Sequence, residues 1–168
     1  CREHGIVLAS DECYADLWLD PADPAPPGIL EVAVDGVLAI GSCSKRSGMT
    51  GYRSGFIAGD PALIADYRRW RSTMGVGSPA FIEAAAAVAW DDDDHPAERR
   101  ARFAHKRRIL AAGLERRGLA VEPSAAGLYI WAALPPSADA DTYAARCLDA
   151  GIVVSPGPFF GPGGDGFI

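Results

Sequence analysis

Lys45 stands just past the apolar run Val37-Leu38-Ala39-Ile40, in the stretch Ser42-Cys43-Ser44-Lys45-Arg46-Ser47-Gly48-Met49-Thr50-Gly51-Tyr52-Arg53. An amine beside a buried strand, with hydroxyls before it and an arginine eight residues after it, calls for a partner. Cations near a core are seldom left unpaired. Loss of solvation favours the neutral amine, which is a nucleophile able to form a Schiff base with an aldehyde. The hydroxyls of Ser42 and Ser44 and the planar donor fork of Arg53 suit a phosphate.

A second cluster, Ser10-Asp11-Glu12-Cys13-Tyr14, follows the apolar residues 6–9. Buried parallel strands present their chemistry at their carboxyl ends, so Asp11 and Tyr14 are expected where a site would open. A carboxylate there would keep a pyridine nitrogen protonated, and Tyr14 could donate to a ring oxygen. One aldehyde site, one phosphate site and one acid for a ring nitrogen together point to pyridoxal 5'-phosphate. Taken singly, Asp11 could instead cap the following turn and Tyr14 could pack at the sheet rim.

The elements that must position these groups follow from pattern. Residues 6–9 and 36–40 read as buried strands, and 54–58 as a third. No crossover helix fits between the second and third, so the third is expected antiparallel. Residues 19–28 are too rich in proline for a helix, and 41–53 show no helical period. Asp60-Pro61 and Ser78-Pro79 are helix starts. The first helix carries a stripe of Leu63, Ile64, Tyr67 and Trp70; the second, Ala-rich one runs over 81–90. Asp91 to Asp94 read as a solvated turn rather than a metal cluster. A long basic helix follows over 96–117, closed by Gly118, with Phe103, Ile109, Leu110 and Leu114 as its buried side. Strands are expected over 119–121, 127–134 and 152–155, and an amphipathic helix over 141–150. The change of texture places a domain boundary near residue 93.

Bulk properties exclude several classes. With 168 residues, 49% hydrophobic and 23% charged, the chain supports a packed core. A net charge of -6 argues against nucleic-acid binding. No apolar run approaches the length of a membrane span. The four cysteines have no CxxC spacing and form no zinc pattern with the three histidines, which suits reduced thiols in the cytoplasm. The chain starts without Met, and Gly166-Phe167-Ile168 reads like the start of a strand, so it is expected to be an internal piece of a longer protein.

The sequence resembles the fold-type I, class I/II aminotransferases over essentially its whole length. The resemblance rests on Ser10-Asp11-Glu12-Cys13-Tyr14, Ser42-Cys43-Ser44-Lys45, Met49-Thr50-Gly51-Tyr52-Arg53-Ser54-Gly55 and Val153-Val154-Ser155-Pro156-Gly157. It implies an α/β fold. Residues 1–93 would be the C-terminal part of a large cofactor domain, with a mostly parallel sheet and an antiparallel last strand. Residues 94–168 would be an α+β small domain cut before its last strand. Lys45 would hold the cofactor aldehyde and shuttle protons, Asp11 would pair with the pyridinium and Tyr14 would contact the ring oxygen. Ser42 and Arg53 would hold the phosphate, with Ser44 either joining them or satisfying backbone groups. The substrates would be an amino acid and a 2-oxo acid, and the intact protein a homodimer. The family's upstream phosphate loop and stacking aromatic lie outside this sequence, as does its arginine for the substrate carboxylate. Residues 44–60, with Ala87-Val88-Ala89-Trp90 before the acidic turn, are similar to bacterial N-succinyldiaminopimelate aminotransferases of lysine biosynthesis. A lyase using the same cofactor, and a sensor domain of a transcription regulator, remain open alternatives.

Overall fold

Three strands carry the first half of the chain: β1 (Leu8–Asp11), β2 (Val37–Ser42) and β3 (Gly55–Gly59). They pair in the order β1-β2-β3, the first pair parallel and the second antiparallel, as the short connection before β3 requires. The computed structural model describes residues 1–20 and 23–168. The loop expected over 19–28 includes positions 21 and 22, which lie outside the described residues. The chain divides into two compact units, 1–102 and 103–168.

Only β2 is flanked on both sides, and it alternates buried with half-buried residues. The expectation of a buried first strand is corrected. Within this chain β1 is an outer strand of the three and Ile6, Val7 and Leu8 are exposed, and the strand begins at Leu8 rather than at residue 6 and runs on to Asp11. Both ends of β3 are glycines because another backbone passes there. A Cβ at Gly55 would sit 2.4 Å from Gly41 O, and one at Gly59 (φ +148°) 2.1 Å from Val37 O.

The absence of helix over 41–53 is also corrected. Cys43–Arg46 forms a single α turn, α1, and Thr50–Tyr52 a 3₁₀ turn. Ser42 caps α1, its Oγ accepting from Ser44 N (3.1 Å). α2 (Pro61–Arg71) starts as read: Asp60 Oδ1 accepts from Ala62 N (2.8 Å), and its Oδ2 from Gly36 N (2.7 Å). Trp70 of the expected stripe is exposed. α3 (Ala80–Asp91) begins with Pro79 at its cap position and no side-chain cap, so Ser78 plays no such part.

Asp91 to Asp94 are more than a solvated turn. Asp92 accepts from Asp94 N (2.8 Å) and His95 N (3.3 Å), starting α4 (Asp94–Glu115), while Asp93 accepts from the buried Arg46 (2.6 Å). Arg46, 6% exposed, is the buried charged side chain among the described residues. Its guanidinium also donates to Ala89 O (2.5 Å) and Asp92 O (3.2 Å), pairs with Asp16 (3.4 Å) and lies 4.9 Å from the Trp90 ring. The other side of this cluster is closed by Phe56, edge-to-face with Trp90 at 5.0 Å.

In the second unit a small core of Leu119, Ala132, Leu134 and Ala140 is joined by Leu114, Val121, Tyr143 and Ile168. β4 (Ala120–Val121) pairs antiparallel with β5 (Ala132–Ala133), a much shorter strand than the expected 127–134. Gly118 (φ +84°) turns the chain after α4. Ile109 and Leu110 are exposed rather than buried. α5 (Ala140–Asp149) is capped by Asp139, which accepts from Thr142 N (2.8 Å). Residues 152–155 form no strand: Ile152 N closes α5 on Cys147 O (2.8 Å), and Ile152 and Val153 are exposed. Ile168 exchanges two backbone bonds with Ala132, each 3.0 Å.

Gly59→Ala should lower the stability of the chain by roughly 1–3 kcal/mol, the usual cost of forcing atoms into filled space. Gly51→Ala, where a Cβ meets nothing within 4 Å, should stay within about 0.5 kcal/mol. Urea midpoints of the two variants provide the check, and equal midpoints would contradict the close approach of β2 and β3.

Candidate functional site

The parallel pairing puts Asp11 opposite Ile40, and Glu12 N extends the ladder to Ile40 O (2.8 Å). Ser42 ends β2 on the same edge of the sheet and is the register partner of Gly55. Cys43 N donates to Ser54 O (3.1 Å), so Arg53, just before Ser54, enters beside Ser42. The strand ends therefore gather the sequence motifs at one sheet edge.

Lys45 is half-buried on α1, and its Nζ lies 5.6 Å from the centre of the Tyr14 ring, within cation–π reach. Its carbonyl accepts from Arg99 Nη2 (3.4 Å). Tyr14 stands on the loop after β1, which Leu17 pins by complete burial and by donating its N–H to Tyr14 O (3.0 Å). Burying that leucine contributes about 2 kcal/mol.

Ser42 Oγ, besides capping α1, lies 3.4 Å from Ser54 O. Ser44 takes part through its backbone: its N–H donates to Ser42 and its carbonyl accepts from Thr50 Oγ1 (3.3 Å). Arg53 adopts a left-handed backbone (φ 54°, ψ 42°), the one non-glycine positive φ among the described residues. That conformation costs an L-residue of this kind about 1–2 kcal/mol. The Arg53 Nη1 donates to Thr50 O (3.0 Å), which uses one of its five N–H donors and leaves a charged fork for an anion.

Asp11 Oδ1 accepts from Cys13 N (3.0 Å), so the turn-capping geometry and the strand-end placement coexist. The Cys13 thiol, then its backbone N–H, hold the Asp11 carboxyl below the usual carboxylate range, so Asp11 is ionised at neutral pH. The Cys13 thiol is pushed up to about 11, first by burial, then by its hydrogen bond to Asp11 and that group's charge. Burial likewise raises the Cys43 thiol, against the opposing charge of Arg46.

The set suits a phosphorylated aromatic aldehyde. It offers an amine facing an aromatic ring, an ionised acid at the neighbouring strand end, and a hydroxyl with a guanidinium at the next. Arg46 and Arg99, which bracket α1 by contacts to Ala89, Asp92 and Asp93 and to the Lys45 carbonyl, carry no motif signal.

The family model "Aminotransferase class I and II" matches residues 1–167. The 4-dedimethylamino-4-oxo-anhydrotetracycline transaminase OxyQ of Streptomyces rimosus is 40% identical over 174 aligned residues, covering 99% of this chain and 46% of that protein. An LL-diaminopimelate aminotransferase of Nitratidesulfovibrio vulgaris is 33% identical, covering 99% of this chain and 44% of that one. The structure of a probable N-succinyldiaminopimelate aminotransferase of Thermus thermophilus aligns with a TM-score of 0.81 at 28% identity, covering 99% of this chain and 45% of that one. The chain thus spans less than half the length of these relatives.

Alkylation of Cys13 by iodoacetamide should stay slow until the pH nears about 11, because only the thiolate reacts. Asp11→Asn should move that onset down, while burial keeps it above the ordinary thiol range. Peptide mass spectrometry across a pH series reads both, and an unshifted onset in Asp11→Asn would break the assigned coupling.

Proposed function

The chain belongs to the aminotransferase class I and II family, and from that premise we propose that it forms part of a pyridoxal 5'-phosphate-dependent enzyme moving an amino group between an amino acid and a 2-oxo acid. The family depends on that cofactor. The observation that carries the proposal is Lys45 on α1, just past β2, facing Tyr14, with the ionised Asp11 at the end of the adjoining strand.

When bound, pyridoxal 5'-phosphate supplies an aldehyde carbon that takes amines and a ring that accepts electrons. Lys45 would hold that aldehyde through Nζ and, once displaced by a substrate amine, carry a proton from the substrate α-carbon. Its contact with the Tyr14 ring, 5.6 Å from Nζ to the ring centre, gives the amine a defined neighbour from which to make such a transfer. Asp11 would keep the ring nitrogen protonated, since its own carboxyl is held ionised by Cys13. Tyr14 would bind the ring oxygen and limit the swing of Lys45. Arg53 would hold the phosphate with the donors left free by Thr50, and Ser42 by turning its hydroxyl from the long contact to Ser54 O. Ser44 would serve chiefly to tie α1 to its cap.

For the substrate, we favour N-succinyl-LL-2,6-diaminopimelate with 2-oxoglutarate, a step of lysine biosynthesis. Support comes from the motif resemblance, the named specificity of the Thermus thermophilus protein and the LL-diaminopimelate relative. A second substrate reading, an oxo group on a larger ring system, is favoured by the 40% identity to the Streptomyces rimosus transaminase. The intact protein is proposed to be a cytoplasmic homodimer.

Borohydride treatment of the intact protein with pyridoxal 5'-phosphate should fix the cofactor on the peptide bearing Lys45. Lys45→Ala should trap none and should lose amino transfer by about 10²-fold or more. Cofactor trapped elsewhere in Lys45→Ala would sink the assignment. Glutamate formation from 2-oxoglutarate with the succinylated and free diamino acids as donors separates the substrate readings, and turnover of neither would move the choice to the larger ring substrate.

A further inference from the structure

Lys45 sits on a helix one turn long. A single turn fixes several backbone dihedrals for one hydrogen bond and does not persist unaided. α1 depends on contacts beyond its own backbone: the Ser42 cap, the burial of Cys43, the Arg99 contact to the Lys45 carbonyl, and the partners of the Arg46 guanidinium.

Successive residues of an α-helix point about 100° apart, and the neighbours differ accordingly. Lys45 Nζ lies over Tyr14, whereas the Arg46 guanidinium lies over Trp90. From that place Arg46 reaches three segments. It belongs to α1, it pairs with Asp16 on the loop that carries Tyr14, and it donates to Ala89 O, Asp92 O and Asp93 at the junction of α3 and α4. Lys45 and Tyr14 are thus each one short step from the same buried cation.

Given the role proposed for Lys45, on which the assignment rests, we infer that Arg46 is a positioning residue: its guanidinium sets the distance and direction between the Lys45 amine and the Tyr14 ring. An arginine suits the task for a geometric reason. Its planar fork presents five donors in fixed directions, so one group can serve two carbonyls and two carboxylates at once; an ammonium is a point charge on a flexible stem. The contributions are unequal. Asp93 is 95% exposed, so its charge is screened by water, while Asp16 is 35% exposed and the two carbonyls bond Nη1 and Nη2 of the buried cation. Asp16 and the carbonyls therefore carry the alignment.

The test uses the intact protein and three variants, Arg46→Met, Arg46→Lys and Asp16→Asn. Arg46→Met takes the donor away from Asp16 and from the carbonyls of Ala89 and Asp92. Removing one partner of a buried pair is destabilising, so the melting temperature of this variant is expected to fall, and its kinetics are read well below that temperature, where it is folded. It should nevertheless lose about 10²-fold in kcat with KM little changed, the cost of roughly an ångström of misplacement. In the cofactor-free protein, amide exchange over residues 43–47 should speed up at least about tenfold while residues 37–41 keep their protection. Arg46→Lys should not rescue either readout, and Asp16→Asn should show a smaller change in the same direction. A folded Arg46→Met with parental kcat and parental exchange over 43–47 overturns the inference, as does full rescue by Arg46→Lys. If Arg46→Met does not fold, Arg46→Lys and Asp16→Asn decide by the same two readouts. Failure of the parent protein to trap cofactor on Lys45 would instead refute the proposed function, and the exchange arm would still judge Arg46.

Discussion

The parallel pairing of β1 with β2 is the constraint on which the rest of the site depends. Parallel strands end at the same edge, so the loops that follow them open side by side. With Asp11 opposite Ile40, the acid at the end of β1 and the Ser42-to-Lys45 segment after β2 become neighbours although about thirty residues separate them in the chain. A slip of one residue would turn Asp11 to the other face of the sheet. The extra bond from Glu12 N to Ile40 O continues the ladder past the strand and holds the register where it matters. β3 then returns antiparallel, and its glycine ends let it lie close enough for Ser54 to bond Cys43.

A buried cation is a costly way to hold a helix turn, because desolvation takes back much of what pairing returns. Arg46 offsets that cost by bonding groups that would otherwise be short of partners. The carbonyls of Ala89 and Asp92 lie at the end of α3, where helical acceptors run out of donors. The Trp90 ring covers the face of the guanidinium, and Phe56 holds the ring in turn. The same residues therefore close the end of α3, start α4 and seat α1, so the acidic run from Asp91 to Asp94 is a structural joint with a solvated outer side. Residues 1–102 form a unit in which sheet, helix joint and site share these few contacts.

Much of the local structure was legible. Asp60 before Pro61 caps α2 because an acceptor side chain followed by a residue without an N–H meets the needs of a helix start in any context. The antiparallel return of β3 followed from connection length alone. The failures share one cause. Ile6, Val7, Ile109 and Val153 look like core residues by type, yet burial depends on what packs against them, and within these 168 residues, less than half the length of the relatives, nothing covers them among the described residues. The α1 turn is too short to show a period, and it exists because Ser42, Cys43 and Arg46 are held from outside. Arg46 stands beside a more conspicuous lysine, and nothing in local sequence tells a buried arginine from a surface one.

The sequence by itself determined the chemical inventory: an amine, an acid, a phenol, hydroxyls and a guanidinium at spacings that suit a phosphorylated aldehyde, together with the strand ends and helix caps that bear them. These features rest on local chemistry, in which a side chain acts on its own backbone or on groups a few residues away. Tertiary structure alone decided which of the groups meet. The parallel register set Asp11 beside β2, the fold of the loop brought Tyr14 over Lys45, and the helix joint buried Arg46 behind both. Those outcomes depend on contacts between distant segments, and a linear pattern holds no measure of which distant surfaces will exclude water together.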